Sequence, residues 1–206
     1  MTDRERLDLS RLYPQVVHPN RVPQVLAMLD ETAAYLRARG ITGQWPASFT
    51  DPLPTDVEKD RPGELRKYAE ASQLWMFHNG PGGDPVSTMV STMVCTHWPD
   101  LDFAHYWPCG HSGLFNARYI CRMAVRPAYR GNGVGAAMVD FAGWLARLAG
   151  VEYLRLDCSK TNTRLHEHYR SLGFEHVATA DCDWRLSGAL FEKYVGLRAR
   201  LGAVNW

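Results

Sequence analysis

Met123-Ala-Val-Arg-Pro-Ala-Tyr-Arg-Gly-Asn-Gly-Val-Gly135 runs from an apolar strand end, through a proline-marked turn, into a helix. Glycines at 131, 133 and 135 permit positive φ and let a ligand approach the backbone closely. The first amides of the helix have no intrahelical partner, and its dipole is positive there, so an anion is favoured. Arg130 adds a charge beside them, with Arg126 nearby. Chemically this is a phosphate cradle.

The rest of the chain arranges itself around that unit. Ala117 to Val125 reads as the preceding strand. Gly133 to Ala149 is a helix carrying Val134, Met138, Phe141, Leu145 and Leu148 on one face, closed by Gly150. Tyr153 to Cys158 is a strand, Arg164 to Ser171 a helix stopped by Gly173, and Val177 to Ala180 with Leu186 to Val195 a closing antiparallel pair. Towards the N-terminus, Leu9 to Val17 reads as a first strand. Asn20 suits a helix cap and Pro23 a first turn, with Val22, Val25, Leu26, Leu29, Ala33 and Leu36 at helical spacing up to Gly40. Ile41 to Pro62, with several prolines, reads as loop, and a second helix falls within Pro62 to Ser72. Leu74 to Phe77 and Val86 to Val94 form a hairpin around NGPGGD. Cys95 to Phe115 is a long connection, a length usually tied to function. The pattern predicts a single α/β domain over 1–206, with a core at 9–195, a tail at 196–206, and a mixed sheet.

Composition narrows the function classes. The 206 residues carry 23 Lys+Arg against 22 Asp+Glu, a net charge of +1, so no general basic field points to nucleic acid. The most apolar stretch, Val134 to Val151, is interrupted by Asp140, Arg147 and Gly150, which argues against a membrane span. MTDRERLDLS has no apolar core of a signal peptide. Five cysteines (95, 109, 121, 158 and 182), without a CxxC, then read as reduced thiols in a cytoplasm.

Three phosphate ligands compete for the cradle. A nucleoside triphosphatase loop needs Gly-Lys-Ser/Thr, which is absent. Gly131-Asn-Gly133-Val-Gly-Ala136 satisfies the dinucleotide pattern, with Asp157 near the position of a ribose-binding acid, and would make a nicotinamide-dependent oxidoreductase. Against it stand the five residues, Pro127 included, between strand and first glycine, and the antiparallel close after Asp157.

The third reading is a resemblance. Arg-Gly-Asn-Gly-Val-Gly at 130–135 resembles the Arg/Gln-x-x-Gly-x-Gly/Ala signature of the GCN5-related N-acetyltransferases (GNAT family), and Leu154-Arg-Leu-Asp-Cys158 resembles the family's next strand. Asn162, with Tyr169 seven residues on and Leu172-Gly173-Phe174 following, resembles its Asn…Tyr-x-x-Leu-Gly-Phe segment. The likeness is specific over Ala117 to Val177. It implies a mostly antiparallel mixed sheet of about seven strands, splayed at the cofactor site and flanked by helices. It also implies an acetyl group moved from acetyl-CoA, as co-substrate, to a primary amine by direct attack on the thioester.

Carried onto this chain, the resemblance implies that Met123, Ala124 and Val125 bind the pantetheine arm. Arg130, Gly131, Asn132, Gly133, Val134 and Gly135 hold the diphosphate, Asn162 touches the arm, and Tyr169 protonates the departing thiolate. A phenol suits that role, since a thiolate leaving group needs a nearby donor. No carboxylate stands in Tyr119-Ile-Cys-Arg-Met123, where some members carry their base, so Asp157, Asp102, His105, Asp30 and Glu31 all stay candidates. A chain with the cradle and no base would be a non-catalytic acyl-CoA sensor.

Other residues have plain readings beside functional ones. Asn162 also suits a helix cap, and Tyr169 also suits a core. Cys158 is either a small core residue or a covalent acyl carrier. Cys95-Thr-His97 and Cys109-Gly-His111 are spaced too tightly for the usual zinc pairs, and His166 and His168 diverge on a helix, so no metal is expected. Trp98, Phe103, Tyr106 and Trp107 either pack their own loop or, with Trp45, wall the acceptor pocket, which would suit a small-molecule amine. Gly196 to Trp206 is either a helix docking on the second subunit of a homodimer or a frayed end.

Overall fold

The computed structural model describes residues 7–41, 45–50, 60–80, 88–97, 104–182 and 187–196. Seven strands form one sheet: β1 (Leu12–Val16), β2 (Leu74–Asn79), β3 (Met89–Thr96), β4 (Ala117–Val125), β5 (Tyr153–Ser159), β6 (Glu175–Thr179) and β7 (Ser187–Tyr194). Their order is β1-β2-β3-β4-β5-β7-β6. Every pairing is antiparallel except β4 with β5. A parallel pair needs a crossover, and α4 (Val134–Leu148) supplies it.

The two faces of the sheet follow from strand alternation. Trp75 and Phe77 pack with Val134, Met138, Ala142 and Ala146 of α4, while Leu74 and Met76 meet Val25, Leu29 and Ala33 of α1 (Val22–Arg37) and Leu65 and Ala69 of α2 (Arg61–Glu70). Burying a side chain such as Leu29 fully contributes about 1.5–3 kcal/mol. A third cluster lies under the segment from Ala104 to Leu114, whose second half is the short helix α3 (Gly110–Leu114). Arg155 pins that segment down. Its guanidinium is 2% exposed and donates to Glu192 (2.7 Å), the Gly113 carbonyl (2.9 Å) and the Tyr119 hydroxyl (3.0 Å), ringed by Trp107, Tyr119 and Tyr153.

The structure moves several boundaries. Leu9–Arg11 is a 3₁₀ turn capped by Asp8, so the first strand starts at Leu12. Asn20 does not cap α1: it lies inside a second 3₁₀ turn, where the His18 ring accepts from its amide, and Pro23 still falls in the first turn of α1. β3 runs Met89–Thr96; Val86 and most of the NGPGGD turn lie outside the described residues. β6 begins at Glu175 because the turn after α5 (Thr163–Ser171) tightens at Gly173, φ +85°. The tail beyond Gly196 lies outside the described residues.

Candidate active site

β4 and β5 pair only from Ala117–Ile120 against Tyr153–Leu156. Beyond Ile120, β4 follows β3 and β5 follows β7, so the two strands part. β4 also carries a bulge: Thr92 faces Ala124 and Val94 faces Cys121, so Arg122 and Met123 together face Met93. The added residue is Arg122, at φ +52°, a conformation costing about 1–2 kcal/mol outside glycine. It shifts the alternation, leaving Ile120 and Met123 towards α4 while Cys121 and Ala124 face α1 and α2. The result is a slot between strands, with backbone amide and carbonyl groups of β4 lacking a ladder on the β5 side.

The cradle opens beside the slot. After β4, a 3₁₀ turn (Pro127–Tyr129) leads through Arg130 to Gly133, the N-cap of α4. Gly131 (φ +86°) and Gly133 (φ +78°) are left-handed, and a Cβ on Gly133 would come within 3.2 Å of Leu9 Cδ1. Asn132 turns its side chain inward, donating to the Tyr129 carbonyl at 3.1 Å and accepting from the Leu7 amide at 3.5 Å. It therefore shapes the turn. Arg130 Nη1 is buried with no hydrogen-bond partner among the described residues, a costly state for a charged group unless a ligand completes it.

On the far side stand β5 and α5. Asn162 caps α5, accepting from the Leu165 amide at 3.1 Å. Tyr169 is buried against Phe174 and Phe191, and its hydroxyl has no hydrogen-bond partner among the described residues. Burial, with Cys158 and Asp157 nearby, pushes its pKa well above the usual phenol range, so it keeps its proton at neutral pH. Burial beside Asp157 likewise pushes Cys158 up to about 12, which leaves the thiol protonated and unsuited to carrying an acyl group.

The acid and base candidates separate clearly. Asp30 is spent on structure, accepting from Ser48 Oγ (3.1 Å), the Phe49 amide and Thr50 Oγ1, which ties residues 48–50 to α1. Glu31 faces Arg126 at 3.5 Å. The His105 ring lies 4.0 Å from that of Tyr106. Asp102 lies outside the described residues. Asp157 stands at the mouth of the slot, within electrostatic range of Cys121, Cys158 and Tyr169.

Glu64 was not among the candidates. From α2 it accepts from Arg122 Nη2 at 2.6 Å and also bears on Cys121, which burial pushes up to about 12. Its one sequence signal is its place in the first turn of a capped helix. Of the loop aromatics, Trp107 is buried edge-on to Tyr119, Tyr106 donates to the Asp181 carbonyl, and Trp98 and Phe103 lie outside the described residues. Trp45 packs edge-on to Phe49, 5.2 Å away, against the core that includes Cys121 and Ala124. Cys95 is buried on the α4 side and His97 meets Gln73 at 2.9 Å; no metal-binding cluster occurs among the described residues. The dinucleotide reading fails on topology, because β5 pairs antiparallel with β7 instead of entering a doubly wound parallel sheet.

Comparison with known proteins agrees with this geometry. Residues 97–176 match the acetyltransferase (GNAT) domain model. An uncharacterized N-acetyltransferase, YesJ of Bacillus subtilis (strain 168), is 25% identical over 175 residues, covering 83% of each chain. A GNAT-family acetyltransferase from Listeria monocytogenes shares the fold at TM-score 0.66 and 19% identity, over 89% of this chain and 94% of that one. The PaiA N-acetyltransferase from Thermoplasma acidophilum, solved in complex with coenzyme A, does so at TM-score 0.60 and 14% identity, over 89% and 98%.

Proposed function

Because residues 97–176 match the acetyltransferase (GNAT) domain model and the sheet shares its fold with GNAT-family acetyltransferases, we propose that the chain is a GCN5-related N-acetyltransferase that moves the acetyl group of acetyl-CoA to a primary amine of a small molecule. One observation carries the reading: the slot where β4 leaves β5 leads to the N-terminus of α4, where the glycine turn at 131–133 presents the first helix amides. That arrangement fits a ligand with two amide groups in an extended arm and a diphosphate behind them. Strand amides take the arm and helix amides take the phosphates.

Bound there, acetyl-CoA supplies the activated thioester. The chain's own residues do the rest. Met123, Ala124 and Val125 orient the arm as an added strand would, and the backbone of Arg130 to Gly135 holds the diphosphate. Asn162 fixes the start of α5, and its amide group reaches the arm. Tyr169 keeps a proton at the place where the sulfur departs and donates it there, so a free thiol leaves. The amine attacks directly, since Cys158 holds its proton too tightly to intervene; the nitrogen gives up its surplus proton to water as the C–S bond breaks, and water returns a proton to Tyr169. A buried, protonated tyrosine in the slot favours an enzyme over a passive acyl-CoA sensor.

The whole chain acts as one domain. Its five unpaired thiols suit the cytoplasm, and no described helix is long and apolar enough to cross a membrane. A homodimer is the assembly we favour. Calorimetric titration with acetyl-CoA, and separately with NAD(H) and NADP(H), tests the reading. Micromolar binding of the coenzyme A species alone supports it, and a free-thiol assay over a panel of primary amines then identifies the acceptor. Binding of a nicotinamide cofactor alone overturns it.

A further inference from the structure

Three arginines converge beside the cradle from three different elements. Arg39 follows the last turn of α1, with its guanidinium carbon 3.8 Å from the centre of the Tyr35 ring. Arg130, from the cradle loop, lies 4.9 Å from the centre of the same ring. Arg164, in the first turn of α5, is close enough for its charge to act on Arg130. Burial and the like charges of Arg39 and Arg164 depress the pKa of Arg130, while Tyr35 works the other way. No carboxylate among the described residues pairs with any of the three. Three other arginines near the sheet do have carboxylate partners: Arg122 with Glu64, Arg126 with Glu31, Arg155 with Glu192. Two guanidinium groups on one aromatic ring, with a third arginine beside Arg130 and a buried unsatisfied Nη1, are therefore half of an interaction.

The missing half is a compact, multiply charged anion. The helix amides at 131–135 already account for a diphosphate, so the guanidinium cluster answers a further phosphate. We propose that Tyr35, Arg39, Arg130 and Arg164 form a subsite for the phosphomonoester on the ribose of coenzyme A. A phosphomonoester presents three acceptor oxygens and nearly two charges, which planar guanidinium forks match better than lone amides do. Tyr35 serves as the platform: its ring holds the Arg39 and Arg130 guanidinium groups side by side. The subsite makes the first helix of the fold part of the cofactor site and selects the full coenzyme over its dephosphorylated form. It rests on the acetyl-CoA reading above.

The test is calorimetric titration with coenzyme A and with 3′-dephospho-coenzyme A, at low and high salt. The wild-type chain is expected to prefer coenzyme A by about tenfold or more at low salt, and by less at high salt. Arg39→Gln is expected to shrink that preference to under about threefold while leaving the affinity for dephospho-coenzyme A nearly unchanged. Equal wild-type affinity for the two ligands overturns the inference, as does a variant that weakens both alike. Should Arg39→Gln melt at a lower temperature than the wild type, Arg164→Gln carries the same comparison from a different helix. If the wild type binds neither ligand, the function reading itself falls, and the subsite with it.

Discussion

Arg122 on β4 donates to Glu64 on α2 at 2.6 Å from a backbone held at φ +52°, so the bulge that opens the slot is clamped from outside the sheet. The pair is partly exposed, with side chains 26% and 39% accessible, and its strength is discounted accordingly. Arg122→Ala keeps the left-handed strain and loses the clamp. Arg122→Gly loses the clamp and relieves the strain. Denaturant unfolding is expected to find the alanine variant about 1 kcal/mol less stable than the glycine variant. Equal stabilities would remove the strain from the account.

Tyr169→Phe keeps the ring among Phe174 and Phe191 and removes the proton donor. Turnover is expected to fall by about 100-fold with coenzyme A affinity kept. Because the phenol pKa is raised, the donor stays protonated as pH climbs through the ordinary tyrosine range. Wild-type turnover should therefore show no alkaline loss attributable to this group below about pH 10. A steady-state pH profile of both proteins decides it; unchanged turnover in the variant strips Tyr169 of its role.

The cradle glycines are not equivalent. At Gly133 an alanine meets both φ +78° and Leu9 Cδ1 at 3.2 Å, while at Gly135 its nearest neighbour is His168 Nε2 at an ordinary 3.6 Å. Gly133→Ala is expected to cost about 1–2 kcal/mol and Gly135→Ala under about 0.5. Thermal melts of the two, side by side, give the comparison.

Burial pushes the thiols of Cys95 and Cys158 up to about 12. A pKa raised by folding leaves stability intact below the unfolded value and erodes it above. From about pH 9 towards pH 12, each thiol should lower stability by about 1.4 kcal/mol per pH unit. Urea midpoints between pH 7 and pH 10 should fall, and Cys158→Ala should flatten the fall while retaining turnover within a few-fold. Loss of turnover in that variant would restore the covalent alternative.

The glycine turn, the crossover helix and the Asn162–Tyr169 spacing could be read from sequence because each is local, with its partners a few residues away. The strand segments followed from period and turn residues, and their assembly into a sheet of about seven from the family resemblance. Glu64 and Arg122 are 58 positions apart, and nothing in either neighbourhood announces the other. Asp30 looked like a candidate base because a helix acid with no visible partner resembles one; its partners at 48–50 arrive only through the loop. Tyr106 and Trp107 read equally as pocket wall or packing until Arg155, 48 residues beyond Trp107, supplied the site they pack around.

The short β4–β5 ladder also gives the molecule a seam. On one side lies the antiparallel half β1–β4, on the other β5–β7–β6, and the strand ladder across the divide joins Ala117–Ile120 to Tyr153–Leu156, with Asn116–Glu152 and Arg155–Tyr119 hydrogen bonds at the same end. The sheet is thus a book whose spine is the crossover helix. Each leaf holds its own backbone ladder, so the width of the slot is set by how the two leaves meet and not by the pairing within either.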